Sequence, residues 1–331
     1  MKIRNILLTS AAVLFCAASN CFATATTIAH TWVSGSGSDS NPCTFASPCA
    51  TFQGALTNTT AGGMITAKDA GDFGAVTINK SVTIDGANMG SITSTGESLI
   101  FISTSVNVTV QNLTINGLGS ANYGIAADGG IVIVDNCRIM NITFDGIYFN
   151  GAGNLTVENS RIESFIGEGV YGFEIYSSAA ENVVVRNTVI DASPNSVGHS
   201  GFVVNPGAGP VMASLQDVTI MGAGSYAVWT SSGVTEITGS VLTQSWMGVY
   251  ADEGATISVA SSLITANTIG VCSNTSSKIR LDNNDIYDNP TAIDNTTGVV
   301  YCGGIVKTSG TNKTSGTIAI PPSDVSNSVT F

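Results

Sequence analysis

The chain repeats itself. An octet of alternating apolar and polar residues, Val108 to Ile115, returns as Val132 to Ile139, Leu155 to Ile162, Val183 to Ile190 and Ala213 to Ile220, and three further copies end at Leu242, Ile264 and Ile286. The residue at the fifth place of the octet is Asn112, Asn136, Asn159, Asn187, Asp217, Gly239, Ser261 and Asn283, at spacings of 24, 23, 28, 30, 22, 22 and 22. Eight copies at this period define a repeat architecture, in which no unit can bury its apolar face without its neighbours. The alternation has period two, so each copy reads as strand, turn, strand. Nine to 14 residues beyond the turn lies a second signature: Gly124-Ile125, Gly146-Ile147, Gly169-Val170, Gly201-Phe202, Ala227-Val228, Gly248-Val249, Gly270-Val271 and Ala292-Ile293. That makes three short strands per repeat.

Stacked coils with hydrogen bonds running from one coil to the next, about 4.8 Å per layer, satisfy this pattern as an all-β parallel β-helix. Asn suits the turn because it tolerates a left-handed backbone, and its side chain can donate to the carbonyl of the turn above while accepting from below. Asn112 begins an Asn-x-Thr sequence, but a residue inside a stacked turn is closed to modification, so neither it nor Asn159 is expected to carry a glycan. The isoleucines closing the octets, Ile139, Ile162 and Ile190, are expected in one core column. Composition agrees: 37 Gly against 8 Pro suits many strands joined by tight turns, and charged residues are 10% of the chain. The net charge of −12, or −14 without Lys2 and Arg4, disfavours nucleic acid or an anionic membrane as partner.

Residues 1–23 carry Lys2 and Arg4, an apolar run from Ile6 to Ala18 and the small residues Cys21 and Ala23, the pattern of a Sec-type signal peptide. The run is short for a membrane span. A secreted or periplasmic protein without a membrane anchor is expected, in a compartment that permits disulfides. Cys43 and Cys49 close a short loop bent by Pro42 and Pro48, with no His or second Cys pair for zinc, and are expected to form a disulfide. Cys137 reads as a buried thiol; Cys272 and Cys302 stay undecided.

On the Asn column and coil length, over about residues 65–310, the chain resembles the right-handed parallel β-helix superfamily of pectate and pectin lyases, polygalacturonases and tailspike-like depolymerases. The stretch from Trp32 to Thr44, followed by Pro48 to Leu56, also resembles the lead-in of small exported bacterial β-helix proteins of unsettled activity. The implied organisation is a leader at 1–23, a lead-in and cap at 24–64, a single-stranded right-handed β-helix at 65–310 and a C-terminal cap or tail at 311–331. Phe52, Ala55 and Leu56 fall on one helical face, suited to an N-terminal capping helix.

Strand alternation fixes what points outward. The residue after each Gly-apolar pair gives the column Ala126, Tyr148, Tyr171, Val203, Trp229, Tyr250, Cys272 and Asp294. Rings stacked at the coil spacing make a platform for sugar faces, so Tyr148, Tyr171, Trp229 and Tyr250 are the expected ligand-binding residues. The resemblance implies that this strand carries the groove in the lyases and hydrolases. Extra residues after Gly169 and Gly201 place the longest loops beside it. If the chain is catalytic, Asp145, Glu168, His199 and Tyr171 are the expected set: the carboxyls as acid and base or nucleophile in hydrolysis, His199 or Tyr171 as proton acceptor in elimination.

A second charged group, Gln111, Asp135, Glu158, Arg186, Gln216 and Asp282 with Arg138 and Arg161, lies around the turn, where Glu158 and Arg186 suit a surface ion pair. The superfamily's Trp-x-Asp-His, Asn-Thr-Asp, Asp-Asp and Arg-Ile-Lys motifs are missing, Gly198-His199-Ser200 matches Gly-His-Gly only in half, and no metal set is evident. No cofactor is expected, calcium entering only with a polyuronate substrate. The leading expectation is an exported protein binding a neutral glycan or another extracellular polymer. The alternatives are a polysaccharide lyase or glycoside hydrolase and a structural surface protein.

Overall fold

A computed structural model of the chain describes residues 28–103, 106–163, 165–166, 170–176, 181–193, 198–205, 210–295, 302–309 and 312–319. The leader read at 1–23 lies outside them. They form a right-handed parallel β-helix in which the strands of each coil pair with those of the adjacent coils, as the period requires. One face is a parallel sheet of 12 strands, running from Ile28–Val33 through Thr59–Ala67 to Ile305–Ser309. The short strand after the turn and the Gly-apolar strand make the other faces, also parallel throughout. Pairing continues to Thr317–Ala319, beyond the point where the sequence pattern fades.

The core is a set of ladders. Ile92, Ile115, Ile139, Ile162, Ile190, Ile220, Leu242, Ile264 and Ile286 stand in consecutive register and are all fully buried. Deep burial of branched side chains is the main stabilising term in such a stack. The glycine of the Gly-apolar pair is there because coils approach closely: a Cβ on Gly146 would lie 2.7 Å from the Gly172 carbonyl oxygen and 2.5 Å from an Ile162 methyl. At the open end, the helix Phe52–Asn58 buries Phe52, Ala55 and Leu56 over the first coil, with Thr51 as N-cap accepting from the Gly54 amide. Capping removes the apolar end that a solenoid would otherwise expose. The Cys43–Cys49 disulfide closes the loop before this helix.

The turn column is left-handed as expected, with φ of 56°, 50°, 52° and 43° at Asn112, Asn136, Asn159 and Asn187. Its side-chain bonding differs from expectation. Asn136 Nδ2 donates to Asn112 Oδ1 and Asn187 Nδ2 to Asn159 Oδ1, both at 2.8 Å, whereas Asn159 Nδ2 donates to Asp135 Oδ1. The backbone carbonyls are taken by amides instead, the Asn136 amide donating to the Glu158 carbonyl. Just inside this turn runs a second ladder, in which Cys137 and Ser160 amides donate to the hydroxyls of Ser160 and Thr188, and Ser262 and Asn284 amides to the side-chain oxygens of Asn284 and Asn312. Cys137 opens that column of small side chains; burial pushes its thiol up to about 12, so it is inert.

Candidate functional site

Two outward columns run along the face built by the Gly-apolar strands. The first is Ser98, Tyr123, Asp145, Tyr171 and Ser200. The second is Phe101, Ala126, Tyr148, Glu174, Val203, Trp229, Tyr250, Cys272 and Asp294. Tyr171 therefore pairs with Asp145 rather than with Tyr148, and Glu174 holds the place expected for Tyr171. The reason is local: Gly169-Val170 and Gly172-Phe173 both fit the Gly-apolar signature three residues apart. Gly172 makes the close approach, since a Cβ on it would lie 2.5 Å from the Gly201 carbonyl oxygen. Phe173 fills the core beside Ile147 and Phe202.

The aromatic column is thereby split in two. On the N-terminal side, Tyr123 and Tyr148 have ring centroids 5.3 Å apart, with Phe144 6.2 Å from Tyr123. Their rings, with Thr77, Glu97, Ser98, Phe101, Ala126 and Asp128, line a groove of about 590 Å³. On the C-terminal side, Tyr226 lies 5.0 Å from Tyr250, 5.4 Å from Trp229 and 5.8 Å from Trp246. There Tyr250 is buried with Met247, Ile269, Cys272 and Cys302, and a Cys272–Cys302 disulfide decides the pairing left undecided by spacing. Tyr250 is thus a packing residue with little ring to offer a ligand, while Tyr226, Trp229 and Trp246 keep partial exposure.

Between the two clusters sit Asp145 and Glu174. Asp145 is only 3% exposed and hydrogen-bonds to Glu174, whose carboxylate also accepts from Asn205 Nδ2. Burial first, then the charge of Glu174 and the hydrogen bond to it, raise the Asp145 carboxyl well above its ordinary range, against a smaller opposing effect of the Tyr171 amide. The Asp145 carboxyl therefore keeps its proton to a pH at which an exposed carboxyl has already lost it. The phenols around it are raised as well, Tyr148 to about 12, by burial and by Glu174 and Asp145 nearby, so they stay protonated as donors. Of the other residues expected here, His199 is fully buried, with Nδ1 3.2 Å from the Ala192 carbonyl oxygen and its ring edge-on to Phe165, away from the groove. Glu168 lies outside the described residues. Glu174 escaped the sequence reading because the register slipped; the Gly172-Phe173 pair was the signal for it.

The proton on Asp145 has a measurable consequence. A carboxyl raised by folding stabilises fully below its unfolded value of about 4, and that contribution is lost as pH rises through the folded value. Asp145→Asn, which fixes the neutral form, is expected to melt higher than the parent at pH 8 and level with it near pH 4. Thermal melts across that range check this; a variant that melts lower at pH 8 would mean that the Asp145 carboxyl is not raised by folding.

The turn-side charges pair among themselves in two groups. Glu163 bonds both Arg138 and Arg161, Arg161 reaches Asp191 at 2.9 Å, and Arg186 lies 3.8 Å from Glu158. Burial alone would raise the Glu163 carboxyl, but the bonds and charges of the two arginines outweigh it and hold it low. These residues tie neighbouring coils together.

The chain belongs to the family described as right handed beta helix region, which it matches over residues 64–238. Among solved structures it is similar to pectate lyase Pel9A, at 16% identity and a TM-score of 0.57, with 90% of this chain and 79% of that one covered. A rhamnogalacturonan lyase gives 12% identity and a TM-score of 0.43 over 90% of both chains. The GH136 lacto-N-biosidase from Eubacterium ramulus gives 9% and 0.46 over 87% of this chain and 68% of that one. At these identities the likeness is one of fold. No curated protein matches the chain in sequence.

Proposed function

We propose that this is an exported glycan-binding protein whose site is the groove between Phe101 and Glu174. The observation that carries the reading is the Tyr123–Tyr148 pair: two phenol rings from adjacent coils, 5.3 Å apart, in a groove of about 590 Å³ that also presents hydroxyl and carboxylate acceptors from Thr77, Ser98, Glu97 and Asp128. Apolar ring faces with polar groups at their edges complement the two sides of a sugar. The fold supports the same class of ligand, since the similar structures include a pectate lyase. Export fits the two disulfides and the pattern of residues 1–23. Among the described residues, no helix is long and apolar enough to cross a membrane.

Binding is favoured over cleavage by the arrangement of the acids. Glycosidase carboxyls reach the sugar from both sides of the scissile bond, whereas Asp145 is only 3% exposed. For elimination, buried His199 is out of reach of the groove and the raised Tyr171 is a poor base. Incubation of the mature protein with insoluble polysaccharides, followed by sedimentation and by product analysis, tests the reading. Retention without new chain ends is expected, and Tyr123→Ala with Tyr148→Ala should weaken it by about tenfold or more, as loss of two stacked rings implies. Retention that survives the double change places the site elsewhere; release of unsaturated or reducing ends makes the protein an enzyme; no retention on any polymer favours a structural surface role.

A further inference from the structure

The groove is unusual in the sign of its charges. Glu97 precedes the strand Ser98–Ile102, Asp128 follows the end of the neighbouring strand at Ala127, and Asp145 with Glu174 occupies the next two coils. The rings of Tyr123 and Tyr148 thus have acids at both ends of their strands and along the coil axis. Among the described residues, none of these four carboxyls pairs with a Lys or Arg, although elsewhere Glu163, Asp191, Glu158 and Asp285 each have a basic partner. The charges acting on the hydroxyls of Tyr123, Tyr148 and Tyr171 are likewise all acidic. A partly enclosed, aromatic-lined groove that carries several negative charges and no positive one is complementary to a cation presented on a flat ring.

Resting on the glycan-binding reading above, we propose that the groove is selective for a polymer of amino sugars in the protonated form. The sugar faces lie against Tyr123 and Tyr148, and their ammonium groups lie among Glu97, Asp128 and the Asp145–Glu174 pair. The spread of the acids decides between this and a metal ion: among the described residues, no three carboxyl, His or Cys groups come close enough to hold one cation. Charges distributed along a strand and across successive coils match charges repeated along a chain. A polyuronate would meet like charge at every sugar.

The experiment is calorimetric titration of the mature protein with a β-1,4-linked glucosamine tetramer, with its fully N-acetylated counterpart, and with calcium chloride alone. The amino tetramer is expected to bind at least about tenfold more tightly than the acetylated one, with an affinity that falls as salt is raised. Glu97→Gln with Asp128→Asn should remove most of that preference. Glu236→Gln with Asp282→Asn, an equal loss of two charges at exposed positions of the opposite sheet, should leave it intact and so separates a local site from the general pull of an acidic protein on a polycation. Equal binding of both tetramers, lost in Tyr148→Ala, would overturn the amino-sugar preference and keep the groove as a neutral-glycan site. Equal weakening by Glu236→Gln with Asp282→Asn would overturn it as non-specific attraction, and tight calcium binding abolished by Glu97→Gln would overturn it in favour of a metal. Binding of neither tetramer, with retention on another polysaccharide, would overturn the preference alone; binding to no glycan at all would take the groove reading with it.

Discussion

Phe173→Ala is expected to lower the free energy of unfolding by about 3 to 5 kcal/mol, the range for truncating a fully buried phenylalanine. The ring is inaccessible and packs 5.9 Å from that of Phe202. Its neighbours are held by coil-to-coil hydrogen bonds and cannot close around the void. Denaturant titration by circular dichroism checks the size. The result matters for the site as much as for the fold, because placing Phe173 inside the coil is what puts Glu174 beside Asp145. A negligible loss would mean that the register of this coil is wrong and that the carboxyl pair does not form.

The second large effect concerns the C-terminal coils. Cys272 and Cys302 are separated by 30 residues, and closing a loop of that length restricts the unfolded chain by about 3 to 4 kcal/mol in the chain-entropy account. Replacing both by Ala should cost a comparable amount. In a solenoid the loss should stay local, appearing as early melting of the last coils rather than of the whole stack. Because the bridge packs with Tyr250 and Met247 beside Trp229, opening of that cluster should also shift tryptophan emission to longer wavelength at temperatures where the far-ultraviolet signal is still largely native. Melting and emission identical to the parent's would show that the other contacts of this cluster hold the segment without the bridge.

The two aromatic clusters differ in what they can offer a ligand, and backbone register explains why. Tyr123 and Tyr148 stand over a groove because Ser98 and Ala126, their neighbours in the two columns, are small. Tyr250 stands among Met247, Ile269 and the disulfide, which fill the space around it. The same kind of residue on the same kind of strand is a wall of a groove in one place and part of a packed cluster in the other.

Sequence by itself determined the fold, the core column at Ile139, Ile162 and Ile190, the left-handed turn at Asn136, Asn159 and Asn187, the capping helix and the Cys43–Cys49 loop. All of these are local patterns repeated in register, and a β-helix is built from nearest-neighbour contacts, so repetition specifies it. The site was legible only in part. Asp145 and Tyr148 were visible because their coil keeps close to the basic period, 23 residues from Asn136 to Asn159; Glu174 was not, because two glycine-apolar pairs lie three residues apart in an expanded coil and alternation cannot choose between them. Only the stacked structure decides that choice, since the coil above admits no Cβ at Gly172 and requires a large ring at Phe173. The same holds for His199, whose sequence neighbourhood says loop while packing places it in the interior, and for Cys272 and Cys302, whose pairing depends on where a 30-residue excursion returns. Charge balance within the groove is likewise a tertiary property: Glu97, Asp128, Asp145 and Glu174 are scattered along the chain, and only coil stacking gathers them around two tyrosine rings while leaving the arginines on the turn side.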